Sequence, residues 1–208
     1  MTRGIYVLML AAGASRRMRG EDKLLREIQG VSLLERSVCR AVQSGADGVH
    51  VVLPSRDGPR ADCLADMNVS ITVCEECAEG MGASLRAGVS GLPDDAAAVI
   101  VTLADMPDIG AEHYRRLMER FNATARGEKN YQILRAVTDA GQVGHPVLFG
   151  SGWFERLCQA KGDQGARDIL KQEQRCIEYV TTFGEGAVVD LDTPEAWEGW
   201  MAKPNGSS

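Results

Sequence analysis

Directly after an apolar run, residues 10–25 read LAAGASRRMRGEDKLL, which sets small residues, a hydroxyl and basic side chains next to one another. The small side chains of Ala11, Ala12, Gly13 and Ala14 let backbone N–H groups approach a phosphate unobstructed, and Arg17 and Lys23 can neutralise its charge. A solvated basic loop is the plain alternative. The segment is neither a P-loop, since no GK[ST] closes it, nor a dinucleotide fingerprint, since GxGxxG is missing. Two acidic segments could hold the cation that polyphosphate chemistry requires. VTLADMP ends an apolar run on Asp105. A carboxylate there suits Mg²⁺, which takes few protein oxygens alongside phosphate and water oxygens. Taken alone, Asp105 is equally suited to capping a helix or closing the turn before Met106-Pro107. VVDLDTP supplies Asp190 and Asp192, and a strand through them would aim both at one face and one cation.

These residues need strand ends to carry them. IYVLMLAA, bounded by Gly4 and Gly13, reads as a strand buried on both faces. VHVVLP, VSITVC and AAAVIVTLAD read as three more strands. Ser32 and Glu35 stand at capping-box spacing before an apolar stripe of Leu34, Val38, Ala41 and Val42, and Gly45 stops that helix. A second helix runs through EHYRRLMERF, with Tyr114, Leu117, Met118 and Phe121 on one face. Beyond Tyr131, YQILRAVT and GHPVLF read as strands, DQGARDILKQE as a helix with Ile169 and Leu170 inward, and AVVDLD as a late strand. Thr193 and Pro194 then open a last helix as N-cap and first residue. Strand–helix alternation over the first 120 or so residues implies a mainly parallel sheet with helices on both faces. In such a sheet ligands bind outside the carboxyl ends of the strands, where the Gly13 loop and Asp105 lie.

The chain has 208 residues, enough for one domain with a real core. Its net charge of −6 argues against a general nucleic-acid or anionic-membrane binder, although it leaves room for a local anion site. No run approaches a membrane span, and MTRGIYVLML meets Gly and Arg before a signal pattern forms. Six scattered cysteines then read as reduced thiols of a cytoplasmic protein rather than a disulfide framework. CEEC lacks a second ligand pair and reads as inert thiols. His50, His113, Trp197 and Trp200 read as structural. His145, in a segment framed by Gly144 and Pro146, is divided between stabilising a turn and touching a ligand.

Taken together, LAAGASRRMRGEDK resembles the signature loop of the MobA-like nucleotidyltransferases, which activate small molecules with nucleoside triphosphates. EGMGASLRAGV, LADMP, GHPVLF, GDQGAR and VDLDTPEAW extend the resemblance over nearly the whole chain. In that combination and order they resemble the molybdenum cofactor cytidylyltransferases. The resemblance implies a single-domain, Rossmann-like, three-layer α/β/α fold of the nucleotide-diphospho-sugar transferase kind over residues 1–202, followed by a disordered tail at 203–208. It implies that Leu10, Ala11, Ala12 and Gly13 hold the base and ribose, while Gly80, Met81, Gly82 and Ser84 line the base pocket. Arg17 and Lys23 would lie on the triphosphate, and Asp105 with Asp190 or Asp192 would carry Mg²⁺. His145 and Arg167 would face the acceptor, with Arg167 on its terminal phosphate. LAAG at the loop's start resembles the cytidylyl users, whereas guanylyl users read LAGG. One departure stands out: the family reads RMG before its lysine segment, and here Arg19 intervenes before Gly20.

The expected activity is transfer of CMP from CTP to the phosphate of molybdopterin or molybdenum cofactor, with release of pyrophosphate. A molybdoenzyme or its chaperone would receive the product. The alternatives are transfer from another nucleotide such as GTP, another phosphorylated acceptor, or a non-catalytic molybdenum cofactor carrier.

Overall fold

The computed structural model describes residues 4–124, 129–182 and 184–203 of the chain. In chain order the elements are β1 Gly4–Leu10, β2 Glu27–Ile28, β3 Val31–Ser32, α1 Leu33–Val42, β4 Gly48–Leu53, α2 Pro59–Asp62, β5 Ser70–Val73 and α3 Met81–Ser90. They continue with β6 Ala96–Leu103, α4 Ala111–Ala123, β7 Ile133–Val137, β8 Val143–Gly150, α5 Phe154–Leu157, α6 Arg167–Gln172, β9 Ile177–Thr181 and α7 Pro194–Met201. Apart from Lys203, the tail expected at 203–208 lies outside the described residues.

Seven strands form one sheet in the order β5-β4-β1-β6-β8-β7-β9. The pairs β5–β4, β4–β1, β1–β6 and β7–β9 are parallel, while β8 runs antiparallel to both β6 and β7. Alternation along each strand divides the core into two layers. Ile5, Val7 and Met9 pack with α1, α4 and α7 through Leu34, Val38, Leu117, Phe121 and Trp197. Leu8 and Leu10 face the opposite way, onto Ala83, Leu85, Leu157, Ile169 and Leu170 of α3, α5 and α6. Helices on both faces of a mostly parallel sheet make the expected three-layer α/β/α fold.

Several local expectations hold. The Ser32 hydroxyl accepts from the Glu35 amide at the start of α1, and Thr193 caps α7 by accepting from the Ala196 amide, with Pro194 as the first helical residue. Trp197 and Trp200 are buried. The late strand expected in AVVDLD does not form: residues 186–192 run as turns and irregular chain. Its apolar alternation is real, since Ala187 and Leu191 are fully buried. The ladder positions are taken, however, by β8, β7 and β9. The segment instead crosses the carboxyl edge of the sheet, where Ala187 accepts from the His145 amide (2.8 Å) and the Leu191 amide donates to the Asp105 carbonyl (3.0 Å).

Candidate functional site

β1 ends beneath the loop it feeds. The Ala11 amide still continues the sheet by donating to Val52, and the Ala104 amide donates to Leu10. From residue 12 the ladder stops, and among the described residues the amides of Ala12, Gly13, Ala14 and Ser15 have no protein acceptor. Ser15 and Arg19 adopt left-handed backbone conformations around a single 3₁₀ turn, Arg16–Met18. Met18 is buried and anchors that turn. The inserted Arg19 points away from the cavity toward α7, where it pairs with Glu195 at 2.6 Å. The extra residue is therefore absorbed at the surface.

The loop returns through Lys23, whose amide donates to the Ser15 hydroxyl at 3.3 Å. The Lys23 side chain is buried, and its ammonium donates to both Asp105 and Asp192. Arg17 closes the cluster by pairing with the second oxygen of Asp192 at 2.6 Å. Burial alone would push the Lys23 ammonium down; the two carboxylates outweigh it and hold its pKa above the ordinary lysine value. Asp190 is raised, first by burial and then by the nearby charges of Asp192 and Asp105. Asp190 and Asp192 thus reach one site, although the irregular segment rather than strand alternation brings them there.

Among the described residues no three His, Cys, Asp or Glu side chains converge as a ready-made metal cluster. Lys23 stands between two of the carboxylates expected to share a cation. Asp105 Oδ1 is nevertheless buried with no hydrogen-bond partner among the described residues. An orphaned carboxylate oxygen beside two further carboxylates is the donor chemistry that suits Mg²⁺, which needs only one or two protein carboxylates when phosphate supplies the rest. The residues present fit that ion.

These groups lie along one cavity of about 960 Å³. That is at the upper end for a small-molecule site and leaves room for two ligands. Its lining includes Leu10, Ala11, Ala12, Gly13, Arg17 and Lys23 on the loop side, with Gly80 at the N-cap of α3 and Met81 and Ser84 within it. Asp105, Asp190, Asp192, His145 and Arg167 line it as well. Gly82, expected among the base-pocket residues, does not. It lies buried inside α3 against the Lys161 backbone, where an added Cβ would sit 2.7 Å from a main-chain carbon. Gly80 has both a positive φ of 113° and a close neighbour, with an added Cβ 2.3 Å from an Asp163 oxygen. Gly80 and Gly82 thus let the start of α3 pack closely on residues 161–163.

Arg135 and Arg167 also line the cavity, together with Val101, Val147 and Phe149. Arg135 is half-buried and donates from Nε to the Gly144 carbonyl at 3.1 Å. Burial and then Arg135 push the His145 imidazole down to about 4, and its buried Nδ1 has no partner among the described residues. The ring is therefore neutral at physiological pH. Gly144 approaches the crossing segment so closely that an added Cβ would lie 1.8 Å from the Ala187 carbonyl oxygen.

Sequence reading passed over two residues of this neighbourhood. Arg135 sits inside YQILRAVT, read only as a strand. Arg60, on α2, reaches back to the Gly13 loop over some fifty residues. Neither contact leaves a local signal in the sequence. Cys77 also lines the cavity, and all six cysteines are unpaired. No helix among the described residues is long and apolar enough to cross a membrane.

Loop amides without protein acceptors, a lysine and three carboxylates thus line one cavity at the carboxyl edge of a mostly parallel α/β sheet, the edge where such folds bind ligands. The chain belongs to the MobA-like NTP transferase domain family, which matches residues 7–176. Over 200 residues it is 28% identical to the purine catabolism protein PucB of Bacillus subtilis (strain 168), covering 92% of this chain and 93% of that protein. Nicotine blue oxidoreductase of Paenarthrobacter nicotinovorans is likewise 28% identical over 200 residues, covering 90% and 92%. Among solved structures, Rv0371c of Mycobacterium tuberculosis H37Rv superposes with a TM-score of 0.79 at 23% identity, over 98% of this chain and all (100%) of that one. Rv0371c has also been solved as a complex with manganese (TM-score 0.76, 22% identity, 94% and 97% covered). At such identities the structures establish the shared fold.

Proposed function

We propose that this protein transfers CMP from CTP to the phosphate of molybdopterin or molybdenum cofactor and releases pyrophosphate. The observation that carries the reading is the placement of Lys23 and Arg17 against Asp105 and Asp192, directly beside four free loop amides. Two cationic side chains and the carboxylates that would hold a further cation stand together in this cavity. The resemblance of LAAG to the loop of cytidylyl users favours CTP.

In this reaction an oxygen of the acceptor phosphate attacks the α-phosphorus. The new P–O bond forms as the bond to the β-phosphate oxygen breaks, and the electron pair leaves with pyrophosphate. A phosphate monoester is already anionic near neutral pH, so no strong general base is required, and positioning with charge neutralisation carries the catalysis. The free amides of residues 12–15 cradle the triphosphate, and Lys23 and Arg17 neutralise the charge that grows on the leaving group. Arg167, with Arg135 beside it, holds the acceptor phosphate, while the neutral His145 ring sits under the acceptor without adding charge. Asp105 with Asp190 or Asp192 would hold Mg²⁺, which when bound neutralises triphosphate oxygens.

The test is product identification. The chain is incubated with CTP, MgCl₂ and molybdopterin, and the products are analysed by mass spectrometry. The cytidylyl-molybdopterin conjugate supports the reading. CTP and molybdopterin recovered unchanged, under conditions where both bind, would favour a carrier.

A further inference from the structure

Arg60 is not in the cavity lining, yet it makes five hydrogen bonds to the loop beside it. It enters on the four-residue helix α2 and is largely buried, its side chain 11% exposed. Its guanidinium donates to the carbonyls of Ala11 (2.5 Å) and Gly13 (2.8 Å). It also grips Asp22 through both carboxylate oxygens, at 2.6 and 2.8 Å, with the Ser15 hydroxyl at 3.4 Å. Asp22 in turn accepts from the Ser15 hydroxyl (3.3 Å) and from the Leu24 amide (3.0 Å). One planar fork thus joins the first residues of the loop to the residue just before Lys23.

The consequence lies in the direction of the peptide groups. In a loop, a carbonyl held on one side turns neighbouring amides toward the other, and Arg60 takes the carbonyls at 11 and 13. The amides at 12–15 are the ones left without protein acceptors. A fork of five donors in fixed geometry can hold several acceptors at once, which a lysine cannot.

We infer that Arg60 is a positioning residue for the phosphate cradle: it orients the Gly13 loop so that its free amides and Lys23 face a triphosphate together. The inference rests on the nucleotide reading proposed above, and it deepens that reading by assigning the cradle's geometry to a residue outside it.

The test compares wild type with Arg60→Lys, Arg60→Met and Asp22→Asn, all kept well below their melting temperatures. Calorimetry measures binding of CTP, GTP and inorganic tripolyphosphate with MgCl₂, and amide relaxation of residues 12–15 is measured by NMR on the free protein. Arg60→Lys keeps the charge and loses the fork. It is expected to weaken tripolyphosphate and CTP binding tenfold or more and to lower backbone order in the loop, while the KM for the acceptor stays within twofold. Asp22→Asn should give the same pattern if Arg60→Met fails to fold. An Arg60→Lys protein with wild-type affinity and wild-type loop order overturns the inference, since charge alone would then suffice. Wild type that binds none of the three probes contradicts the nucleotide reading instead. In that case the relaxation data still decide, with an unchanged loop in Arg60→Lys refuting the positioning role and a loosened one supporting it.

Discussion

His145 gives the structure a measurable acid response. The imidazole is buried in the cavity wall; burial first and then the Arg135 charge lower its pKa from the ordinary 6.5 to about 4, against a smaller opposing pull from Asp105. As pH drops below 6.5 the unfolded chain takes up this proton while the folded chain refuses it. Stability from this group is therefore complete above pH 6.5 and is lost progressively down to pH 4. At roughly 1.4 kcal/mol per pH unit, the loss by pH 4 is about 3 kcal/mol. His50 and His113 are also pushed down by burial and act in the same direction, so the contribution must be isolated by difference. Urea unfolding of wild type and His145→Gln across pH 4–8 provides that difference. Wild type should lose about 3 kcal/mol more than the variant between pH 7 and pH 4. Parallel stability curves for the two proteins would refute the argument, because they would mean the ring is solvated and titrates normally.

Other perturbations act elsewhere along the cavity wall. Asp105→Ala removes the orphaned carboxylate oxygen and one partner of Lys23; transfer should be abolished in a steady-state assay with the circular dichroism spectrum intact, and an active variant would sink the metal assignment. Lys23→Met should lower kcat/KM for the nucleotide on the order of a hundredfold, about 3 kcal/mol of transition-state stabilisation, while unchanged kinetics would remove it from the site. Gly144→Ala drives a Cβ into the Ala187 carbonyl; urea unfolding should show a loss of about 3 kcal/mol or more, and the KM for nucleotide should rise as the Asp190 segment shifts. A stable Gly144→Ala protein with normal KM would contradict the close crossing.

Most of the sheet was legible because its strands are short apolar runs with clear stops: residues 5–10, 49–53 and 96–103 needed only burial and punctuation to be found. Helix starts at Ser32 and Thr193 were legible through their hydroxyl caps. α3 is not legible as a helix, since MGASLRAGVS mixes glycines with few apolar anchors. It is held by tertiary contact, with Gly88 pressed against Leu8 and Val52. β9 is illegible for a related reason: it is an edge strand whose half-buried residues show no strong alternation. AVVDLD misled because alternation records burial on one side and not the presence of a ladder partner. At the site, residue types and strand ends pointed to Lys23, Asp105, Asp190 and Asp192, which do line one cavity. The pairing of Lys23 with two of those carboxylates, and the reach of Arg60 and Arg135, depend on distances across the fold that no local spacing encodes.

The central claim is most directly tested by pyrophosphate release with CTP, GTP, ATP and UTP in turn, each with MgCl₂ and molybdopterin, against controls without acceptor. The account predicts acceptor-dependent release with CTP alone. Release with GTP in place of CTP would keep the chemistry and contradict the base assignment, and bound nucleotide with no release from any of the four would contradict transfer to molybdopterin.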